Sequence, residues 1–69
     1  MNMIPVKSSN LKSVGYDQTS KTLRVEFHNG ASWDYSGIEP NEHAAMMHAP
    51  SIGSHFHAHI KSKKNAVSV

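Results

Sequence analysis

Leu23-Arg24-Val25-Glu26-Phe27-His28-Asn29-Gly30-Ala31-Ser32-Trp33-Asp34-Tyr35 is the stretch that decides the fold. Leu23, Val25 and Phe27 alternate with polar residues before Asn29-Gly30, and Ala31, Trp33 and Tyr35 alternate with Ser32 and Asp34 after it. Period-two patterning on both sides of a turn signal predicts a β-hairpin. A two-residue Asn29-Gly30 loop would set Phe27 opposite Ser32 and Val25 opposite Asp34, mixing polar and apolar side chains on one face. A three-residue loop, His28-Asn29-Gly30, with Gly30 left-handed, instead pairs Phe27 with Ala31, Val25 with Trp33 and Leu23 with Tyr35. All six apolar side chains then share one face, and this register is the one expected.

Upstream, Leu11-Lys12-Ser13-Val14-Gly15-Tyr16 followed by the polar run Asp17 to Lys21 predicts a further strand and turn. Leu11 and Val14 fall out of alternation with Tyr16, which predicts a bulge or bend near Gly15. Downstream, Pro40 suits the first position of a helix, Glu39 and Glu42 suit its positive end, and Pro50 stops it near His48 or Ala49. A second short helix is predicted from Ser51, a capping hydroxyl, with Phe56 and Ile60 on one face at i, i+4. The expected fold class is α+β: a three-stranded antiparallel meander followed by two short helices packed on one face, β-β-β-α-α.

A chain of 69 residues without cysteine has no disulfide framework, thiolate metal site or cysteine nucleophile. Residues 1–60 carry four basic and five acidic side chains, so the formal charge of +2 comes from Lys61, Lys63 and Lys64. The expected organisation is one domain over residues 1–60 and a basic, flexible tail over 61–69. No apolar run is long enough for a membrane segment, and the expected location is the cytoplasm.

Six histidines, five of them after residue 42, are the most chemical-looking feature. His55 and His59 stand at i, i+4, a spacing at which two imidazoles can share a zinc-like ion, but the sequence supplies no fixed third ligand. No cofactor is expected; surface or interface histidines are the competing reading. The polar residues form no local nucleophile or acid–base signature, so no enzyme activity is expected. Trp33 and Tyr35 would form a base-stacking platform if solvent-facing, or core if they follow their apolar neighbours inward. Lys61, Lys63 and Lys64 read either as phosphate contacts or as a solvated tail.

The run Val6-Lys7-Ser8-Ser9-Asn10-Leu11, Val14-Gly15-Tyr16-Asp17, the strand Leu23 to Phe27, the Gly30 turn, Trp33-Asp34-Tyr35, and Ala49-Pro50-Ser51-Ile52-Gly53 followed by Phe56 and Ile60 together resemble a KTSC domain. The resemblance covers about residues 6–60. It implies a small domain found at the C-terminus of some lysyl-tRNA synthetases and as free-standing bacterial or phage proteins, with an unassigned role for which RNA binding is suggested. It adds Ser8, Ser9, Tyr16, Gly30, Ser51, Gly53 and Phe56 as motif positions. Trp33 stands where the family has the first tyrosine of a tyrosine-x-tyrosine, and Ile52 where it often has lysine, adding an exposed apolar group. His43 and Ala44 replace larger or acidic residues, which implies a thinner contact between helix and sheet.

Two functions follow as expectations. The first is a non-catalytic module binding RNA or another single-stranded nucleic acid, with Lys7, Lys12, Lys61, Lys63 and Lys64 on phosphates and Trp33 and Tyr35 on bases. The second is a protein-interaction or self-assembly module using Ile52, Met46, Met47 and an open sheet edge. Metal binding through His55 and His59 is a third class.

Overall fold

The computed structural model describes residues 1–61 and 65–69. Its strands form one antiparallel sheet in chain order: β1 (Ile4–Pro5), β2 (Leu11–Asp17), β3 (Thr22–Phe27), β4 (Ser32–Tyr35) and β5 (Ala66–Ser68). Helices α1 (Pro40–Met47) and α2 (Ile52–His55) and a π-helical segment (Phe56–Ile60) lie between β4 and β5. Among the described residues the sheet thus has five strands rather than the expected three. The meander β2-β3-β4 is its centre, and the additions are short edges whose two and three residues show no periodicity. Pairing with an existing neighbour, not local pattern, makes them strands. Ala66–Ser68, expected within a tail, line up with Tyr35, Asp34 and Trp33.

The hairpin has the expected register. Val25 pairs with Trp33 and Leu23 with Tyr35, the Phe27 N–H donates to the Ala31 carbonyl at 2.8 Å, and Gly30 has φ +90°. That left-handed φ is why glycine stands there. The bulge in β2 lies at Lys12, between Leu11 and Ser13, and not near Gly15. One extra residue at Lys12 turns Leu11 back to the apolar face, where it sits opposite Phe27. Gly15 has a different use: a β-carbon there would stand 2.6 Å from the Met3 sulfur, so the N-terminal methionines lie over the outer face.

Alternate residues of the central strands face outward and are polar. Arg24 grips Asp34 on the neighbouring strand with two hydrogen bonds, Nε to Oδ1 at 2.7 Å and Nη2 to Oδ2 at 2.9 Å, and the Ser13 hydroxyl donates to Glu26 at 2.9 Å. The inner face holds the core: Leu11, Val14, Leu23, Val25 and Tyr35 of the sheet, with Ile38, Met46, Phe56 and Ile60 packed upon them. Phe56 is the hub, edge-on to Tyr35 at 5.3 Å and to Phe27 at 5.9 Å between ring centres.

The helices begin where the sequence indicates. Glu39 and Glu42 form a reciprocal capping box ahead of Pro40, and the Ser51 hydroxyl accepts the Ser54 N–H at 3.3 Å. Beyond His55 the backbone widens, with the Lys61 N–H reaching the Phe56 carbonyl at 2.8 Å, which leaves both Phe56 and Ile60 fully buried. At His43 the contact between helix and sheet is a ring stack on Tyr16, at 4.5 Å and 11°. Ile52, Met46 and Met47 do not form the expected exposed apolar surface: Met46 is fully buried, and Met47 and Ile52 are partly buried against the core.

Candidate functional site

The two helical segments are too short to cover the whole inner face, and the end of the sheet nearest the β3–β4 loop stays open. Trp33 keeps 36% of its surface exposed, although its cross-strand partner Val25 and its same-face neighbour Tyr35 are buried. Trp33 and Tyr35 line a concavity of about 480 Å³ together with Phe27, Asn29, Ala31, Lys61 and Ala66. The fold therefore brings together three of the residues expected at a nucleic-acid surface. Trp33 is the accessible ring. Tyr35 is not a second platform, because it is 5% exposed and belongs to the core, and burial pushes its hydroxyl above the usual tyrosine range.

Lys61 stands at this concavity because the widened turn from Phe56 ends on it. Lys7 and Lys12 are exposed but line neither this concavity nor its neighbour. Lys63 and Lys64 lie outside the described residues.

A second concavity of about 400 Å³ adjoins the first, sharing Phe27 and Asn29, and is otherwise lined by Ser9, Asn10, His28 and His57. Its walls are tied together across the chain. His28 Nε2 lies 2.9 Å from the Ser8 carbonyl oxygen, the His28 N–H donates to the Asn10 carbonyl at 3.3 Å, and Asn10 Nδ2 lies 3.3 Å from His57 Nε2. Asn10, His28, Asn29 and His57 were not singled out for this place by sequence reasoning. Asn10 and His57 are 47 positions apart, and the only local signal at either is that Asn10 falls within the Val6–Leu11 run.

The motif positions divide between site and scaffold. Ser9 lines the polar concavity. Ser8 lies beneath it, its hydroxyl accepting the N–H groups of Asn10 at 3.2 Å and Leu11 at 3.3 Å, and the buried Gly53 packs directly against that hydroxyl. Gly30 shapes the loop that carries Asn29, Ser51 caps α2, and Phe56 fills the core. Tyr16 donates its hydroxyl to the Ile38 carbonyl on the same inner face, away from both concavities. Burial, then the nearby Glu39 carboxylate, raises its ionisation above the ordinary tyrosine value.

His55 and His59 do approach, with ring centres 4.4 Å apart. Among the described residues no group of three histidine, aspartate or glutamate side chains gathers around an ion-sized space, so this pair offers two ligands. No described helix is long and apolar enough to cross a membrane.

A family model described as the KTSC domain matches residues 7–63. A protein of Stutzerimonas stutzeri carrying no functional description is 38% identical over 61 residues, which are 88% of this chain and 86% of that one. A lysine–tRNA ligase of Nostoc punctiforme is 33% identical over the same share of this chain, but the match spans 11% of the ligase's length. The crystal structure of a KTSC domain protein from Yersinia pestis superposes with a TM-score of 0.91 at 32% identity, covering 99% of this chain and 96% of that one.

Proposed function

The chain belongs to the KTSC domain family, and from that premise we propose that it is a non-catalytic module binding single-stranded RNA in the groove between the β3–β4 loop and the end of the π-helical segment. One observation carries this: Trp33 stays exposed on the face where Leu23, Val25 and Tyr35 are buried, beside Lys61. An aromatic ring next to a cation suits an unpaired base and the phosphate that follows it. RNA is favoured over DNA because the domain has relatives within lysine–tRNA ligases, whose name states a tRNA substrate.

Trp33 is the sole tryptophan, so its fluorescence reports directly on stacking. Titration with mixed-sequence RNA decamers is expected to quench it. Binding should fall with salt at a log–log slope of about −2 to −3 if three or four phosphates are engaged, and Lys61→Ala should make the slope about 0.7 shallower. Trp33→Ala is expected to weaken binding by about tenfold to a hundredfold. Neither quenching nor salt-dependent binding at low ionic strength would reject this function.

Self-association is supported separately by β5, an edge strand whose Val67 is 60% exposed, with Val69 beside it at 59%. Sedimentation at high concentration tests it: a monomer throughout rules it out.

A further inference from the structure

We infer that the polar concavity beside Trp33 is a second phosphate site, where His28 and His57 join uncharged donors and add positive charge on protonation, so that single-stranded RNA is held more tightly in mild acid. This rests on the RNA-binding function proposed above. Phosphodiester groups follow one another along a strand, so a chain with one base stacked on Trp33 carries a neighbouring phosphate into the adjoining concavity. Ser9, Asn10, His28, Asn29 and His57 line it together with Phe27, and none of them is a carboxylate. Among the described residues, Lys61 is the only lysine or arginine lining either half of the groove. An anion in the polar half therefore depends on neutral hydrogen-bond donors and on imidazole.

The hydrogen bonds within the walls determine what each group offers. Asn29 uses its Oδ1 on the Ala31 N–H at 3.0 Å, which leaves its amide hydrogens as donors. The Asn10 amide nitrogen donates to His57 Nε2 at 3.3 Å, so the neutral His57 ring carries its hydrogen on Nδ1, a donor that serves an anion even without charge. His28 is the opposite case. The Ser8 carbonyl can only accept, so His28 Nε2 carries the hydrogen in their 2.9 Å contact, and the Nδ1 of a neutral ring is a lone pair that repels a phosphate oxygen. Protonation turns that lone pair into a second N–H and leaves the bond to Ser8 in place. At His57 the proton goes to Nε2, and the Asn10 carboxamide turns its oxygen to accept it. Both rings then make charge-assisted hydrogen bonds, which are about twice as strong as neutral ones.

The charged groups of the surrounding elements leave this site to the anion. Glu26, next to Phe27 in β3, accepts the Ser13 hydroxyl on the outer face of the sheet. Lys7 and Lys12 line neither concavity, and His55 and His59 face each other with ring centres 4.4 Å apart. The walls are also fixed in advance: the Phe56 ring braces His57 edge-on at 5.5 Å, and the His28 N–H joins the Asn10 carbonyl at 3.3 Å. A phosphate bound there favours the protonated imidazoles, so RNA binding and proton uptake are linked.

The test uses the full chain and a uridine octamer without terminal phosphates, read by Trp33 fluorescence at pH 8.0 and pH 5.5, the interval in which histidine side chains change charge. Binding is expected to be about threefold or more tighter at pH 5.5, and the log–log salt slope steeper by about 0.7 for each histidine that engages a phosphate. His28 and His57 are exposed, so the double variant His28→Gln/His57→Gln keeps the fold; it should still quench Trp33 at pH 8.0 but lose the gain at pH 5.5. His55→Gln/His59→Gln, equal in number of histidines removed, should keep that gain. Equal affinity and slope at both pH values with normal quenching overturns the second phosphate site and leaves RNA binding intact. So does a gain that survives in His28→Gln/His57→Gln, or one lost in His55→Gln/His59→Gln instead. No binding at either pH overturns both.

Discussion

A β-carbon on Gly53 would stand 2.7 Å from the Ser8 hydroxyl oxygen, so α2 meets the segment leading into β2 through a side chain that is not there. That hydroxyl in turn holds the N–H groups of Asn10 and Leu11. Two motif positions 45 residues apart in sequence are thus one contact, placed directly under the polar half of the groove.

Gly53→Ala is therefore expected to lower stability by about 1–3 kcal/mol, by overpacking, despite alanine's better helix propensity. The Ser8→Ala background removes the hydroxyl and leaves only the Ser8 β-carbon at 3.9 Å, an ordinary contact. Urea denaturation of both single variants and the double variant checks this. The pair should couple by at least about 0.5 kcal/mol, and simple additivity would show that the two residues do not meet.

His43 gives a pH prediction. Burial against Tyr16 disfavours its imidazolium and holds its ionisation below the ordinary histidine range. In that range the unfolded chain binds more protons than the folded one. The stabilising contribution is accordingly present above about pH 6.5 and lost as pH falls through the depressed folded value. His43→Phe keeps a ring on Tyr16 and removes the titration. Its melting temperature should decline less than that of the unsubstituted protein between pH 8 and pH 5, and parallel curves would reject the assignment.

Asp34 acts at lower pH. Its hydrogen bond from Arg24 holds the carboxyl below the usual aspartate range. The folded state then binds fewer protons than the unfolded state near pH 4, so this contribution is present above the ordinary aspartate value and lost as pH falls through the depressed one. Asp34→Asn is expected to be less stable than the unsubstituted protein at pH 7, with the gap closing towards pH 2. Chemical denaturation at both pH values measures it, and a gap that stays constant would mean that the loss is one of packing and not of charge.

Much of the fold was legible because its central information is local. The alternation from Leu23 to Tyr35 and the need to keep Phe27, Val25 and Leu23 opposite apolar partners selected the loop length, and Gly30 marks the backbone position that such a loop requires. Pro40, Pro50 and Ser51 delimit the helices for equally local reasons. The bulge was legible as a break in alternation but not as a position: a displaced Leu11 can be restored by an extra residue anywhere between it and Tyr16, and only pairing with β3 selects Lys12.

The amino-acid order by itself determined the hairpin register, the apolar face of the central strands and the helix boundaries, since each depends on residues within a few positions of one another. Tertiary structure alone decided that Trp33 stays accessible while Tyr35 is buried, that Ala66–Ser68 completes an edge, and that Asn10, His28 and His57 form one wall. Alternation tells which side of a sheet a residue faces. How far along that side the helices reach depends on where long-range packing places Phe56 and Ile60, and no local pattern encodes that distance.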